Sequence, residues 1–352
     1  MSSSIEELPP AYFALVMATG IVSIAALDFN LPTVAWALFI LNLIAYAILI
    51  VLNVLRAVRF PKRFFADLTD HRIAPGFFTM VAGSSVLGAQ VRLIANDVVA
   101  ATAFLVLSVV LWLAITYTVF TAFTIKAEKP SLQQAITGAW LIAVVASQSL
   151  AVIGALISRD WVQPHRLELN FIALSMWLWG GMFYIWIISL IFYRTIFFTF
   201  SPSDLTPPSW ITMGAMAIST LAGSMLVQNA SDAPFLASLL PFLKGFTVFY
   251  WATGMWWIPM LIILGIWRYA IKRFPLRYDP MYWGAVFPLG MYSVATKQMS
   301  SALGLTFLSP LPQGFFVAAM AAWTLTFIGL LLSLLRAARQ ATMRRTLPKY
   351  SR

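Results

Sequence analysis

Long apolar runs alternate with short polar breaks along the whole chain, and they predict ten helices of membrane-spanning length. The runs cover residues 10–28, 33–55, 75–94, 98–122, 137–157, 169–193, 209–228, 237–267, 281–304 and 313–335. A crossing needs about 20 apolar residues, and each run supplies that length. A second pattern lies on top of the first. Tyr12-Phe13, Phe77-Phe78, Trp140-Leu141, Trp210-Ile211 and Trp283-Gly284 each open an odd-numbered run, at spacings of 65, 63, 70 and 73 residues. Each opening soon gives way to small and hydroxyl residues, as in Ala18-Thr19-Gly20, Ser84-Ser85 and Ser219-Thr220. An internal period of this size marks one structural unit used repeatedly, here a helical hairpin used five times.

Odd and even runs differ in side-chain size. Even runs are bulky, as in Leu105-Val-Leu-Ser-Val-Val-Leu-Trp-Leu, which suits contact with lipid. Small and hydroxyl residues suit close helix contact or a water-filled path. The expected fold is therefore an all-α membrane protein of five hairpins, with odd helices as an inner pore ring and even helices as an outer ring. The expected pore-lining residues are Thr19, Gly20 and Ser23 in helix 1, Gly83, Ser84 and Ser85 in helix 3, and Ser147 and Ser149 in helix 5. Ser219, Thr220 and Gly223 follow in helix 7, and Gly290, Val294, Lys297 and Gln298 in helix 9. The alternative is that the small residues serve only to pack helices together. No polar stretch is long enough to fold alone, so residues 1–352 read as one transmembrane domain. It has a short N-terminal segment (1–9) and a basic tail (336–352) expected to be a frayed helix end.

Composition sharpens the class. The chain is 61% hydrophobic and 10% charged, against roughly 25% charged in a soluble domain. There is no cysteine, so disulfides and thiolate metal sites are ruled out. The N-terminus lacks the basic region of a signal peptide, so helix 1 is expected to act as its own insertion signal. The net charge of +11 is a topology signal: eighteen of the 23 Lys and Arg residues fall after even helices or in the tail, among them Arg56, Lys126, Arg194, Arg268 and Arg336. Positive loops stay cytoplasmic, which places both termini inside a bacterial plasma membrane and makes nucleic acid an unsuitable partner. All twelve carboxylates fall at helix ends or in loops. Paired acids, a His cluster and a buried nucleophile–base pair are all missing, so neither an enzyme nor a bound cofactor or metal is expected. Cations do reach the membrane: Lys297, with Arg92 and Lys244 nearer the helix ends. Arg92 and Lys244 suit snorkelling to the headgroups, whereas Lys297, on an odd helix, suits the lumen or the interface.

Helix 9 carries Phe287-Pro288 inside an apolar run. Proline removes one backbone hydrogen bond and kinks a helix. At 3.6 residues per turn, Met291, Val294, Gln298 and Ser301 share the face of Phe287, with Gly290 and Lys297 on its flank.

Two stretches resemble one family. Pro10-Ala-Tyr-Phe13-Ala-Leu-Val-Met17-Ala-Thr19-Gly20 and Trp283-x-x-x-Phe287-Pro288-Leu-Gly290 look like the tellurite-resistance/dicarboxylate transporters. Bacterial TehA, fungal malate permeases and sulfite pumps, and plant guard-cell slow anion channels belong to that family. The resemblance covers the whole chain. It implies a homotrimer in which each protomer has its own pore lined by the odd helices, and in which the Phe before the Pro, here Phe287, plugs that pore as a gate. One departure is plain: helix 9 alone among the odd helices has a central proline, and Gly20, Gly83 and Gly223 stand in its place elsewhere. The expected function is an anion channel or transporter for small inorganic or organic anions. Alternatives are a proton-coupled C4-dicarboxylate (malate) or sulfite carrier, and a receptor or scaffold that would carry no flux.

Overall fold

The computed structural model describes residues 5–276 and 278–346. Arg277, Lys349 and Arg352, counted in the basic set, lie outside the described residues. Ten long helices follow in order: α1 (Pro10–Asp28), α2 (Pro32–Arg59), α3 (Ala74–Ala95), α4 (Val98–Ile125), α5 (Gly138–Ser158), α6 (His165–Phe197), α7 (Pro207–Asp232), α8 (Leu240–Ile271), α9 (Trp283–Leu303) and α10 (Pro310–Thr346). Among the described residues, nine are long and apolar enough to cross a membrane. The tenth, α9, is diluted by Pro288, Lys297, Gln298 and four Ser and Thr side chains. The tail differs from expectation: α10 continues as helix to Thr346, because Ala, Arg and Gln after 336 are good helix formers.

Each odd helix packs on the even helix that follows it. The odd helices also contact one another in a closed order, α1 to α3, α5, α7, α9 and back to α1. They are correspondingly buried, and α5 is buried at every position from Ile142 to Ser158. The even helices turn large apolar side chains outward, such as Ile44, Val110, Trp186, Ile263 and Leu332, as a lipid-facing layer must.

All five odd helices begin with a short 3-10 turn: Pro10–Phe13, Ala74–Phe77, Gly138–Leu141, Pro207–Trp210 and Pro280–Tyr282. Four carry proline at the first or second position, where its fixed φ suits a helix start and its missing N–H costs nothing. These turns hold the repeated aromatic openings, and they too touch in closed order. Contact there is tight: a Cβ on Gly138 would stand 2.5 Å from the carbonyl oxygen of Pro208, so only glycine lets the turns of α5 and α7 approach.

The repeated hydroxyls have a different role from the one expected. In every repeat an aromatic side chain of an even helix reaches the next odd helix. Tyr46 meets Ser84 Oγ at 2.8 Å, Trp112 Nε1 donates to Ser147 Oγ at 3.0 Å, and Trp177 Nε1 to the Ser219 carbonyl at 2.8 Å. Trp251 Nε1 donates to Thr296 Oγ1 at 3.0 Å, and Trp323 Nε1 closes the circle on Thr19 Oγ1 at 3.0 Å. Ser23 donates to the Ala35 carbonyl of α2 at 2.7 Å. Thr19, Ser23, Ser84 and Ser147 are thus corrected from lumen residues to seams between the rings, and Ser219 joins its seam through the backbone carbonyl while its hydroxyl bonds Ala215 of its own helix. Interhelical hydrogen bonds in membranes average about 0.6 kcal/mol, so these seams fix register rather than drive assembly.

Candidate functional site: the axis of the odd helices

Two cavities lie end to end inside the odd helices. The inner one, beside the 3-10 turns, is lined by all five: Ala14 and Met17 of α1, Thr79 of α3, Ile142 and Val145 of α5, Ile211 of α7, and Gly284 and Phe287 of α9. It measures about 20 Å³, room for roughly one water. The outer one, about 120 Å³, is again lined by all five, including Ile21 and Asp28, Ser85 and Ala89, Ser149 and Val152, Ile218 and Met225, and Met291, Val294 and Gln298. Arg159, one residue past α5, completes it. The two cavities share no lining residue. Successive turns divide them: Met17 from Ile21, Val145 from Ser149, Phe287 from Met291.

Phe287 stands at that division and is 1% exposed. Pro288, the next residue, points elsewhere: a Cβ on Gly214 of α7 would meet Pro288 Cγ at 2.6 Å. The proline therefore seats α9 on α7, while Phe287 lines the inner cavity. Pro288 has no N–H to offer the carbonyl of Gly284, a residue of the inner cavity wall.

Of the other residues expected at the lumen, Ser85, Ser149, Val294 and Gln298 line the outer cavity. Ser149 spends its proton on the Ala146 carbonyl at 2.7 Å, whereas the buried Ser85 hydroxyl has no hydrogen-bond partner among the described residues. The remainder do not line either cavity. Thr220 bonds the Met216 carbonyl. Gly20 faces Val86, Asn42 and Gln90, Gly83 faces α1 at Phe13 and Val16, Gly223 faces Thr247 and Trp177, and Gly290 faces Ile21 and Val22. These glycines let helices approach where a side chain would collide. Lys297 is also corrected. Its Nζ donates to the Asp28 carbonyl, lies 4.0 Å from Asp28 Oδ1 and 5.2 Å from the Phe29 ring centroid, and borders a separate surface pocket between α9 and the start of α10. Arg92 is engaged with Asp160 at 2.5 and 2.6 Å. The expected basic, hydroxyl-rich lumen is instead mainly aliphatic and methionine-lined, with few polar groups.

Sequence reasoning missed Arg159 by reading it as a loop residue. The signal was present: Ser149, Val152, Leu156 and Arg159 fall at helical spacing on one face of α5, and all four line the outer cavity. Partial desolvation of a residue that stays exposed at one side pulls the Arg159 guanidinium down from its ordinary value, while Asp160 and Asp232 oppose the shift. The placements are open to a labelling test, since the chain has no cysteine of its own. Single cysteines at Ser85, Ser149 or Val294 should react with a small charged thiol reagent added from water. Cysteines at Ser84 or Ser147, one turn of the wrist away, should stay silent. The reverse pattern would place the axis elsewhere.

Four likenesses to known proteins bear on this arrangement. The SLAC1 family model, described as voltage-dependent anion channel, matches residues 7–331. An uncharacterised transporter of Methanocaldococcus jannaschii is 27% identical over 93% of this chain and 95% of its own length. The sulfite efflux pump SSU1 of Trichophyton rubrum is 25% identical over 92% of this chain and 90% of its own. A membrane protein of Mycobacterium tuberculosis is 39% identical over 42% of this chain and 75% of its own.

Proposed function

Because the chain belongs to the SLAC1, or voltage-dependent anion channel, family, we propose that it passes small anions along the axis of its odd helices, with the Phe287 ring as the gate. The observation that carries this reading is the pair of cavities, each walled by all five odd helices and divided at Phe287. An anion entering the outer cavity sheds part of its water. It gains the Ser85 hydroxyl and the guanidinium at the rim as replacement donors, and advances when the ring leaves the axis. An aliphatic wall offers little else, so weakly hydrated anions pass best.

Basic residues gather at the end where the odd helices begin, and the positive-inside rule makes that end cytoplasmic, with both termini inside and the outer cavity open to the exterior of a bacterial plasma membrane. Assembly as a homotrimer is carried by the family resemblance alone.

Reconstitution tests the function. Liposomes holding the purified chain should pass chloride, nitrate or sulfite down their gradients without an imposed proton gradient, and should exclude potassium. Flux limited to malate or succinate, and dependent on a proton gradient, would replace this reading with the carrier. Within the anion reading the monoanion hydrogensulfite fits both arguments, being less hydrated than sulfite and related to the cargo named for a relative, a sulfite efflux pump, that matches nearly the whole chain.

A further inference from the structure

Five basic residues stand at or near the far end of the bundle, away from the 3-10 turns: Arg92, Arg159, Arg166, Lys244 and Lys297. Three are matched to acids. Arg92 pairs with Asp160 at 2.5 Å, Arg166 with Asp232 at 3.6 Å, and Lys297 lies 4.0 Å from Asp28. Lys244 sits on the outer helix α8 and lines neither axial cavity. Arg159 lines the outer cavity and has no carboxylate within ion-pair distance among the described residues.

Its guanidinium is held in place nonetheless. Nε donates to Asn229 Oδ1 at 2.8 Å and Nη2 to Gln228 Oε1 at 2.7 Å. Both holders are themselves fixed. Asn229 Nδ2 donates to the Ala155 carbonyl and to Asn170 Oδ1, each at 2.8 Å. Gln228 Nε2 donates to Gln298 Oε1 at 3.1 Å. With the Asn229 amide donors committed and the Gln228 amide nitrogen turned to Gln298, each holder presents its oxygen to Arg159. Neutral oxygens orient a cation without cancelling it, whereas a carboxylate would. Both N–H groups of Nη1 stay available, and the residue is exposed to the mouth. Asp28 also lines this cavity, but Lys297 offsets it, so the mouth keeps a positive balance.

We infer that Arg159 is an anion-recruiting subsite at the far mouth of the axis, taking up a small anion such as chloride, nitrate or hydrogensulfite before it reaches the narrow aliphatic part. It rests on the proposed passage of anions along this axis. Ten residues of helix separate Arg159 from Ser149, about 15 Å along the axis, so recruitment happens well before the gate. A recruiting charge raises the local anion concentration, which lowers the half-saturating concentration on that side and leaves the gated step alone.

The test combines flux with binding. In liposomes, Arg159→Gln should raise the half-saturating anion concentration from the far side by about tenfold, with the limiting flux little changed. Arg159→Lys should retain most of the native behaviour, and the difference should shrink above about 0.5 M salt as screening shortens. Arg159→Cys supplies a second series on one backbone: a positively charged methanethiosulfonate should restore uptake and a negatively charged one should depress it further. Independently of flux, chloride or nitrate should stabilise the native protein against heat relative to gluconate at equal ionic strength, and Arg159→Gln should abolish that difference. Unchanged half-saturation and retained anion stabilisation in Arg159→Gln would overturn the subsite, even if Phe287→Ala conducts. An anion stabilisation lost in Arg159→Gln, in a protein that carries no flux, would keep the subsite and overturn the passage.

Discussion

Phe287→Ala raises anion conductance by at least about tenfold, the equivalent of 1.4 kcal/mol off the barrier. The ring is 1% exposed and stands where two cavities, each walled by all five odd helices, fail to meet. Truncation to a methyl should join them. Burying a smaller side chain in a tight core usually costs about 3–5 kcal/mol. Here the cost should be lower, because water entering from either cavity fills the space. Pro288 is untouched and still packs on Gly214, so the path of α9 should not change. The measurement is single-channel or liposome flux of the native and variant proteins, matched for assembly by size-exclusion. A correctly assembled Phe287→Ala with native currents would remove the ring from any gating role.

Much of this architecture is visible in the chain before folding, because lipid leaves few options. Ten apolar runs must become helices, since an unpaired backbone is not tolerated in hydrocarbon, and the five aromatic openings mark where the odd ones start. The face of α9 was legible in part: helical spacing from Phe287 leads to Met291, Val294 and Gln298, all four on the cavity walls, but its next member, Ser301, borders the surface pocket beside Lys297 instead. What spacing alone did not reveal was which side of an odd helix is the inside. Ser84 and Ser85 are adjacent and differ by about 100° around the helix. One bonds Tyr46 of the outer ring and the other faces the cavity. Both neighbours of an odd helix, ring and lumen, accept small residues, so composition does not discriminate between them. The aromatic donors that settle the matter lie on distant even helices, and only the fold brings them together. Lys297 misled for a related reason: its carbonyl partner is Asp28, at the other end of the chain and next to it in the ring.

The second large effect concerns stability at the basic end. Arg56, near the end of α2, is 1% exposed. Its Nη2 pairs with Asp67 of the short helix Pro61–Leu68, and its Nε donates to the Glu6 carbonyl at 2.9 Å. One guanidinium thus ties α2, the α2–α3 connection and the segment leading into α1, beside the ring of 3-10 turns. Removing one partner of a buried ion pair costs about 3–5 kcal/mol, because the other charge is left without compensation. Arg63 lies 3.4 Å from Asp67 Oδ1 but is half exposed, so it compensates only weakly, and the lower end of that range is expected for Arg56→Met. Replacing both members should recover most of the loss, since two apolar side chains bury no stranded charge. Thermal unfolding in detergent of Arg56→Met, Asp67→Leu and the double variant closes the cycle. Additive losses in the double variant would show that the two side chains act separately, and the tie between α2 and the turns would then have to be carried by the contact with Glu6 alone.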